Sequence, residues 1–390
     1  MIDLARRPHV FVSTGSTSAD VLASALLAEL RGRGNLGSVT GIGGAPLVEQ
    51  GVRVLFDTTA NSAVGFAAAM VEFRSQFAAI LSAMRGVARH LRQARPDLVL
   101  LVDNPGYNLR LLEKAHACRL PTLYFVPPEL WGLFTRQARW LARTADQVVP
   151  IFDADAAAYQ RWGRDVRWLG HPVIDLLAAQ PRPPALGTTP LTVGLFPGSR
   201  RAEVLELLPV MRAAALRVAQ VHPEVRFILA SATDRTDVLI AQDLPRWEVG
   251  VEVVRRRAWD VLSRCHALLT CSGTATLEAA VLGVPMVVMY RLRYALDRWL
   301  NRLLIPKCFF ALPNIVAERA IVPELRLEEA EPIGASNHLL ALLEPGPRRT
   351  TMLADLAEVT RRLGPPGSIA RIADLIEARL GVRRADRGGA

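Results

Sequence analysis

Two strand-to-helix junctions built from small residues, and one aspartate at a strand end, hold most of the chemistry legible in this chain. The first junction reads Leu195-Phe196-Pro197-Gly198-Ser199-Arg200-Arg201-Ala202-Glu203, an apolar run giving way to a long helical pattern. Gly198 and Ser199 let backbone amides approach an anion, the helix start adds partial positive charge, and Arg200 could clamp a phosphate, with Glu203 in the first turn. A tight turn with a surface arginine fits the same residues, and no GK[ST] follows, so this is not a Walker loop. The second junction is Thr270-Cys271-Ser272-Gly273-Thr274-Ala275-Thr276-Leu277-Glu278. Ser272, Gly273 and Thr274 offer amides and hydroxyls to a diphosphate, and Glu278, one turn on, could accept both hydroxyls of a ribose. As an ordinary helix residue it would instead support the N-terminal dipole.

The third signal is the apolar run 98–102 that ends in Asp103-Asn104-Pro105-Gly106-Tyr107-Asn108. An aspartate at a strand's carboxyl end can take a proton from an acceptor hydroxyl, which makes Asp103 the candidate general base. From spacing alone, a turn residue satisfying neighbouring amides is the better reading. Gly15, Ser18 and Asp20 after the first strand, Asn108, and His171 in Leu169-Gly170-His171-Pro172-Val173 are expected on the acceptor side or in a cleft. A lone histidine in such a place is more often structural.

The elements that must position these residues alternate between short apolar runs and helical-period segments, the pattern of parallel sheets covered on both faces. Strands are predicted at 9–13, 39–43, 52–56, 97–103, 122–126 and 147–151, then at 191–196, 226–230, 251–254, 267–271 and 285–290. Between the two sets, AQPRPPALGTTP at 179–190 can continue neither element and reads as a linker. The expected organisation is an acceptor-binding domain over 1–178, a nucleotide-sugar domain over 191–365, a helix over 366–382 packing back toward the first domain, and a frayed polar tail over 383–390. Both ligand junctions of the second domain then fall at carboxyl strand ends, where open α/β sheets bind ligands.

Composition sets the bounds. A chain of 390 residues, half of them apolar, is long enough for two hydrophobic cores. Cys118, Cys265, Cys271 and Cys308 show no CxxC spacing, which fits neither a zinc site nor a disulfide framework and points to a reducing compartment. Arg6 and Arg7 precede a strand-like run rather than a signal core, so the expected location is cytoplasmic. The most apolar long window, 63–84, is broken by Glu72, Arg74 and Gln76, which makes a spanning helix costly. The net charge of +10 suits phosphorylated substrates, anionic lipid or a merely solvated surface; nucleic acid is not expected, since no helix-turn-helix, RNP or zinc-finger pattern accompanies the charge.

Taken in order, the motifs TGSTSAD, GIGGAP, PDLVLLVDNPGYN, YFVPPELWG, WLGHP, LFPGSRRAEV, SGTATLE, Tyr290-Arg291 and Leu312-Pro313-Asn314 followed by Pro323-Glu324 resemble the lipid-A-disaccharide synthase family. The match spans nearly the whole chain. The resemblance implies a GT-B fold, two doubly wound Rossmann-like domains facing across a cleft. It also implies an inverting transfer of diacylglucosamine from UDP-2,3-diacylglucosamine to 2,3-diacylglucosamine 1-phosphate. The family's essential aspartate falls on Asp103, its phosphate-contacting arginine on Arg200, its diphosphate loop on Ser272, Gly273 and Thr274, its ribose glutamate on Glu278, and the asparagine of its LPN motif on Asn314. No metal or other cofactor is implied. Acylated substrates imply contact with the anionic inner membrane surface, for which 63–93 offers Phe66, Met70, Phe73, Phe77 and Met84 among Arg74, Arg85, Arg89 and Arg92; a bundled core helix is equally economical. The chain departs from the family at Ser16, Ala19 and Gly106, and at Gly132-Leu133 after Trp131, all in the acceptor half. A glycosyltransferase with another acceptor, a UDP-N-acetylglucosamine 2-epimerase and a non-catalytic UDP-sugar- or lipid-binding protein share the remaining pattern.

Overall fold

Strands buried on both faces read as nearly continuous apolar runs, and the central strands here do, with Ser13, Thr192 and Thr270 as buried polar exceptions. The computed structural model describes residues 7–57, 84–128, 135–163, 165–187, 190–292 and 309–381. Trp131 to Leu133, the apolar segment over 63–83 and the tail after 381 lie outside the described residues.

The chain divides into two units. In unit 1, β1 (Val10–Ser13), β2 (Val39–Ile42), β3 (Arg53–Phe56), β4 (Leu98–Val102), β5 (Thr122–Phe125) and β6 (Gln147–Val149) form a parallel sheet in the order β3-β2-β1-β4-β5-β6. Alternation along each strand sorts its side chains to opposite faces. Val10, Val12, Leu98, Leu100 and Val102 pack under the helix Thr17–Gly32 through Ala23, Leu26, Leu27 and Leu30. Phe11, Val99 and Leu101 face Leu111, Leu112, Leu141 and Tyr159 on the other side. Each buried valine, leucine or phenylalanine among them contributes roughly 1.5–3 kcal/mol by leaving water. The described part of the basic apolar segment, helical over 84–94, buries Val87 and Leu91 in this second cluster while Arg85, Arg89 and Arg92 stay exposed.

Unit 1 is completed from far along the chain. The helix Ser368–Leu380 lays Ile372, Ala373, Leu375 and Ile376 into the first cluster. Arg33 pins it there, donating to Asp374 at 2.6 Å, to Glu377 at 3.0 Å and to the Ala370 carbonyl at 3.0 Å, while also bonding Glu29 at 2.8 Å.

In unit 2, β7 (Thr192–Phe196), β8 (Arg226–Ser231), β9 (Val251–Arg255), β10 (Ala267–Cys271), β11 (Met286–Tyr290) and β12 (Glu324–Arg326) form a second parallel sheet, in the order β12-β11-β10-β7-β8-β9. The chain enters this unit after Asp175 and leaves it after Arg362. The proline-rich 179–190 stretch is tied to it by Arg182, whose guanidinium donates to the Val281 carbonyl at 2.6 Å. In both parallel sheets the strand order reverses once: between β1 and β4 in unit 1, and between β7 and β10 in unit 2.

Candidate active site

A doubly wound sheet opens a crevice at its carboxyl edge where the strand order reverses, because the flanking connections there run to opposite faces. In unit 2 that point lies between β7 and β10, paired in parallel with Leu269 against Leu195 and Thr270 against Phe196. Both small-residue junctions leave the sheet there, side by side. The buried Cys271 thiol senses this proximity: burial raises its pKa first, Glu203 raises it further, and Arg200 opposes them.

The two corners differ in how they are filled. At the first, Gly198 has φ of 111°, and a Cβ there would lie 2.3 Å from Glu203 Oε2, so glycine is required on both counts. Glu203 folds back from the helix Arg201–Val221: its Oε2 accepts from the Ser199 and Arg200 amides at 3.2 Å each, and its Oε1 pairs with the Arg200 guanidinium at 2.8 Å. The sequence suggested open amides at Ser199 and Arg200, with Glu203 facing the donor. Instead this carboxylate occupies the corner as an anion would. The second corner is open. Gly273 is the N-cap of the helix Thr274–Leu282, contributes no capping side chain, and has free space where a Cβ would sit. Gly273 and Thr274 are exposed, and the first amides of a helix have no intrahelical acceptor. Ser272 turns inward, its hydroxyl donating to the Phe310 carbonyl at 2.6 Å.

Glu278 stands one turn beyond Thr274. Its Oε2 accepts from the Trp259 indole N–H at 3.0 Å, and burial pushes its carboxyl up to about 7 despite that bond. Asn314 is fully buried and saturated by protein: its amide donates to the Val322 carbonyl and to Glu324 Oε1, and its oxygen accepts from the Ile321 and Val322 amides. Glu324 also accepts from the Phe310 and Ala311 amides. Asn314 therefore shapes the 310–324 segment beside the second corner rather than presenting its amide to a ligand, which corrects the direct donor contact expected of it. Trp259 and Phe310 were not picked out from sequence, and Glu324 appeared only within the Pro323-Glu324 motif, without a role; an aromatic residue outside a glycine-rich junction gives no local sign of what it touches.

In unit 1 the corresponding point lies between β1 and β4. Asp103 and Asn104 both adopt left-handed backbone, with φ of 56° and 39°. Asparagine tolerates this, and two such residues in succession mark a strained corner. Hydrogen bonds hold it: the Asp103 amide donates to the Phe125 carbonyl, and its own carbonyl accepts from Tyr124 and Asn108 at 2.8 and 2.7 Å. The carboxylate receives the Ser16 hydroxyl at 3.3 Å, and Ser16 also caps the helix Thr17–Gly32 by accepting from the Ala19 amide. Asp103 thus stands beside the starts of two helices, Thr17–Gly32 and Pro105–Ala117. Gly15 is required because the Asn104 side chain would lie 2.1 Å from any Cβ there. Ser18 is half-buried, its hydroxyl 3.1 Å from that of Ser16.

Three residues expected to line the acceptor side turn inward instead. Asp20 is fully buried, bonded to the Thr14 hydroxyl and to the Gly44 amide at 3.0 Å, and burial raises its carboxyl to about 6. Asn108, also fully buried, accepts from Ser13 and donates to the Val102 and Asp103 carbonyls, stitching β1 to β4. His171 packs on Phe152, accepts from the Val173 amide at 3.1 Å, and is held neutral by burial, its pKa lowered to about 3. Each of the three fixes a corner through these bonds.

Comparison with known proteins fits this geometry. The sequence model of the family described as Lipid-A-disaccharide synthetase matches residues 10–364. A lipid-A-disaccharide synthase of Nitrosococcus oceani is 33% identical over 96% of each chain, and one of Myxococcus xanthus is 33% identical over 95% of this chain and 97% of its own. The chain belongs to the lipid-A-disaccharide synthetase family. Membership makes it an inverting glycosyltransferase that uses a UDP-sugar donor, acting in lipid A biosynthesis. Solved structures share the GT-B fold at low identity. The calicheamicin glycosyltransferase CalG4 superposes with a TM-score of 0.62 at 18% identity, covering 96% of this chain and 99% of its own. A UDP-GlcNAc 2-epimerase from Neisseria meningitidis bound to UDP-GlcNAc superposes at 0.65 with 13% identity, covering 95% of this chain and 99% of its own. Fold alone is common to transferase and epimerase, so the near-full-length relatives decide between them.

Proposed function

We propose that this lipid-A-disaccharide synthetase family member transfers 2,3-diacylglucosamine from UDP-2,3-diacylglucosamine to the 6-hydroxyl of 2,3-diacylglucosamine 1-phosphate. The observation that carries this assignment is the parallel pairing of β7 with β10, which sets the corner of Arg200 beside the open corner at Gly273. In this reading the diphosphate lies on the amides of Gly273 and Thr274, Arg200 turns from Glu203 to the departing phosphate, and Glu278 accepts the ribose hydroxyls. Asp103 takes the proton from the acceptor hydroxyl as that oxygen attacks the anomeric carbon. The bond from that carbon to the diphosphate breaks, and UDP leaves with the electron pair. A β-1,6-linked disaccharide phosphate remains. The rigid Asp103 backbone supports this role, since a base must be held at a fixed place for its proton transfer to be efficient.

The positive field at the leaving group is assigned to Arg200 and the helix starts, without a metal ion; excess chelator is then expected to leave turnover unchanged. Acylated substrates bring the protein to an anionic bilayer. The helix Thr135–Thr144 supports that contact, because it buries Ala138, Leu141 and Ala142 and turns Arg136, Arg139, Trp140 and Arg143 outward. Among the described residues no helix is long and apolar enough to cross a membrane. The test of the reaction is direct: purified protein is incubated with both acylated substrates and the product weighed by mass spectrometry. A disaccharide phosphate mass is expected; UDP release without it would overturn the acceptor.

A further inference from the structure

A half-buried carboxylate that must accept two ligand hydroxyls has to be held with its free lone pairs facing the ligand. Glu278 has such a hold. Trp259 lies in the first turn of the helix Ala258–Leu262, which follows β9, and its indole nitrogen lies 3.0 Å from Glu278 Oε2. An indole N–H only donates, so the bond has one sense: Trp259 gives and Glu278 receives. Among the described residues, burial and the Trp259 bond are what act on the Glu278 carboxyl. Among the described residues this indole is the hydrogen-bond donor to Glu278, and it engages Oε2 while leaving Oε1 to a ligand.

We propose that Trp259 is a positioning residue of the donor site, whose indole N–H fixes the Glu278 carboxylate in the orientation that accepts the ribose hydroxyls. The proposal rests on the assignment of Glu278 to the ribose. It predicts that ribose recognition, rather than phosphate binding, depends on the tryptophan. A hydrogen bond to a charged group changes affinity by roughly 10- to 100-fold, and losing only the orientation of its acceptor should forfeit the lower part of that range.

The experiment compares UDP with 2′-deoxy-UDP and 3′-deoxy-UDP by titration calorimetry on the full chain, in wild type, Trp259→Phe and Glu278→Gln. Wild type should prefer UDP over each deoxy analogue by about tenfold, and Trp259→Phe should bring that preference to within about threefold while its affinity for the deoxy analogues stays as in wild type. In turnover, KM for the UDP-sugar should rise more than kcat falls. Trp259→His, which keeps a ring N–H, should recover part of the preference, and reports on the same bond if the phenylalanine variant does not fold. If wild type discriminates and both variants discriminate equally well, the tryptophan role is overturned while Glu278 keeps its assignment. If wild type itself does not distinguish UDP from the deoxy analogues, the ribose assignment fails and the proposal fails with it.

Discussion

Replacing Glu278 by glutamine should make unit 2 more stable above neutral pH while weakening its grip on the donor. Burial raises the Glu278 carboxyl from its ordinary 4.5 to about 7. Between those two values the folded protein keeps a proton that the unfolded chain has released. Folding there is disfavoured by rising pH, and the whole penalty is in force above about 7. A gap of this size is worth at most on the order of 3 kcal/mol, less whatever water reaches the partly exposed side chain. Glutamine has the same shape, can accept the Trp259 bond through its oxygen, and carries no charge to desolvate. At pH 8 the Glu278→Gln variant should therefore melt up to roughly 10 °C higher, taking about 2–4 °C per kcal/mol for a unit of this size. At pH 4, where the carboxyl is protonated in both states, the two proteins should melt together. The assay is differential scanning calorimetry at pH 4 and pH 8, with UDP titrated in parallel at pH 8, where the variant should bind roughly tenfold or more weakly. Coincident melting at pH 8 would show that Glu278 is not desolvated, and an equal gain at both pH values would show that charge is not the cause.

Other perturbations probe the remaining parts. Asp103→Asn should lower kcat by about 10²- to 10⁴-fold while UDP affinity, measured by calorimetry, stays within a factor of two of wild type; unaltered turnover would remove Asp103 from the chemistry. Arg200→Ala should cost about 10²- to 10³-fold in turnover, and full activity in a steady-state assay would refute its role at the leaving group. Arg33→Met leaves the buried Glu377 without its guanidinium and should destabilise unit 1 by about 3–5 kcal/mol in urea unfolding. The double variant with Glu377→Met should recover much of that loss.

Most of the architecture was legible from sequence because parallel strands buried on both faces leave unbroken apolar runs. β1, β4, β7, β10 and β11 all stand within a residue or two of where those runs predicted them. β12 was not legible: three residues, Glu324–Arg326, carry too little pattern to separate from a loop. At the site, spacing located both corners and Asp103, since glycine and aspartate at a strand end are punctuation that local rules can read. It did not reveal which way the polar side chains point. Asp20, Asn108, His171 and Asn314 stand at the anticipated junctions yet are buried and bond inward. Their partners, among them Gly44, Ser13 and Val322, are set by the sheet and not by neighbours in sequence. The occupation of the first corner by Glu203 needed the helix in place, because only a helical turn returns residue 203 to the amides of 199 and 200. The Trp259 bond to Glu278 spans two helices and has no sequence signature at all.

The completion of unit 1 by the helix Ser368–Leu380 bears on the order in which a ribosome-bound chain can fold. Until that helix emerges, the stripe of Leu26, Leu27 and Leu30 lacks its cover of Ile372 and Ile376, and Arg33 faces water without Asp374 and Glu377. The contiguous stretch 176–362 needs nothing synthesised later to close its sheet. The second unit can therefore mature first, with the earlier-made unit waiting half-dressed and prone to aggregation. A truncation at residue 362 would leave its mark on the part of the molecule made first, not on the part made last.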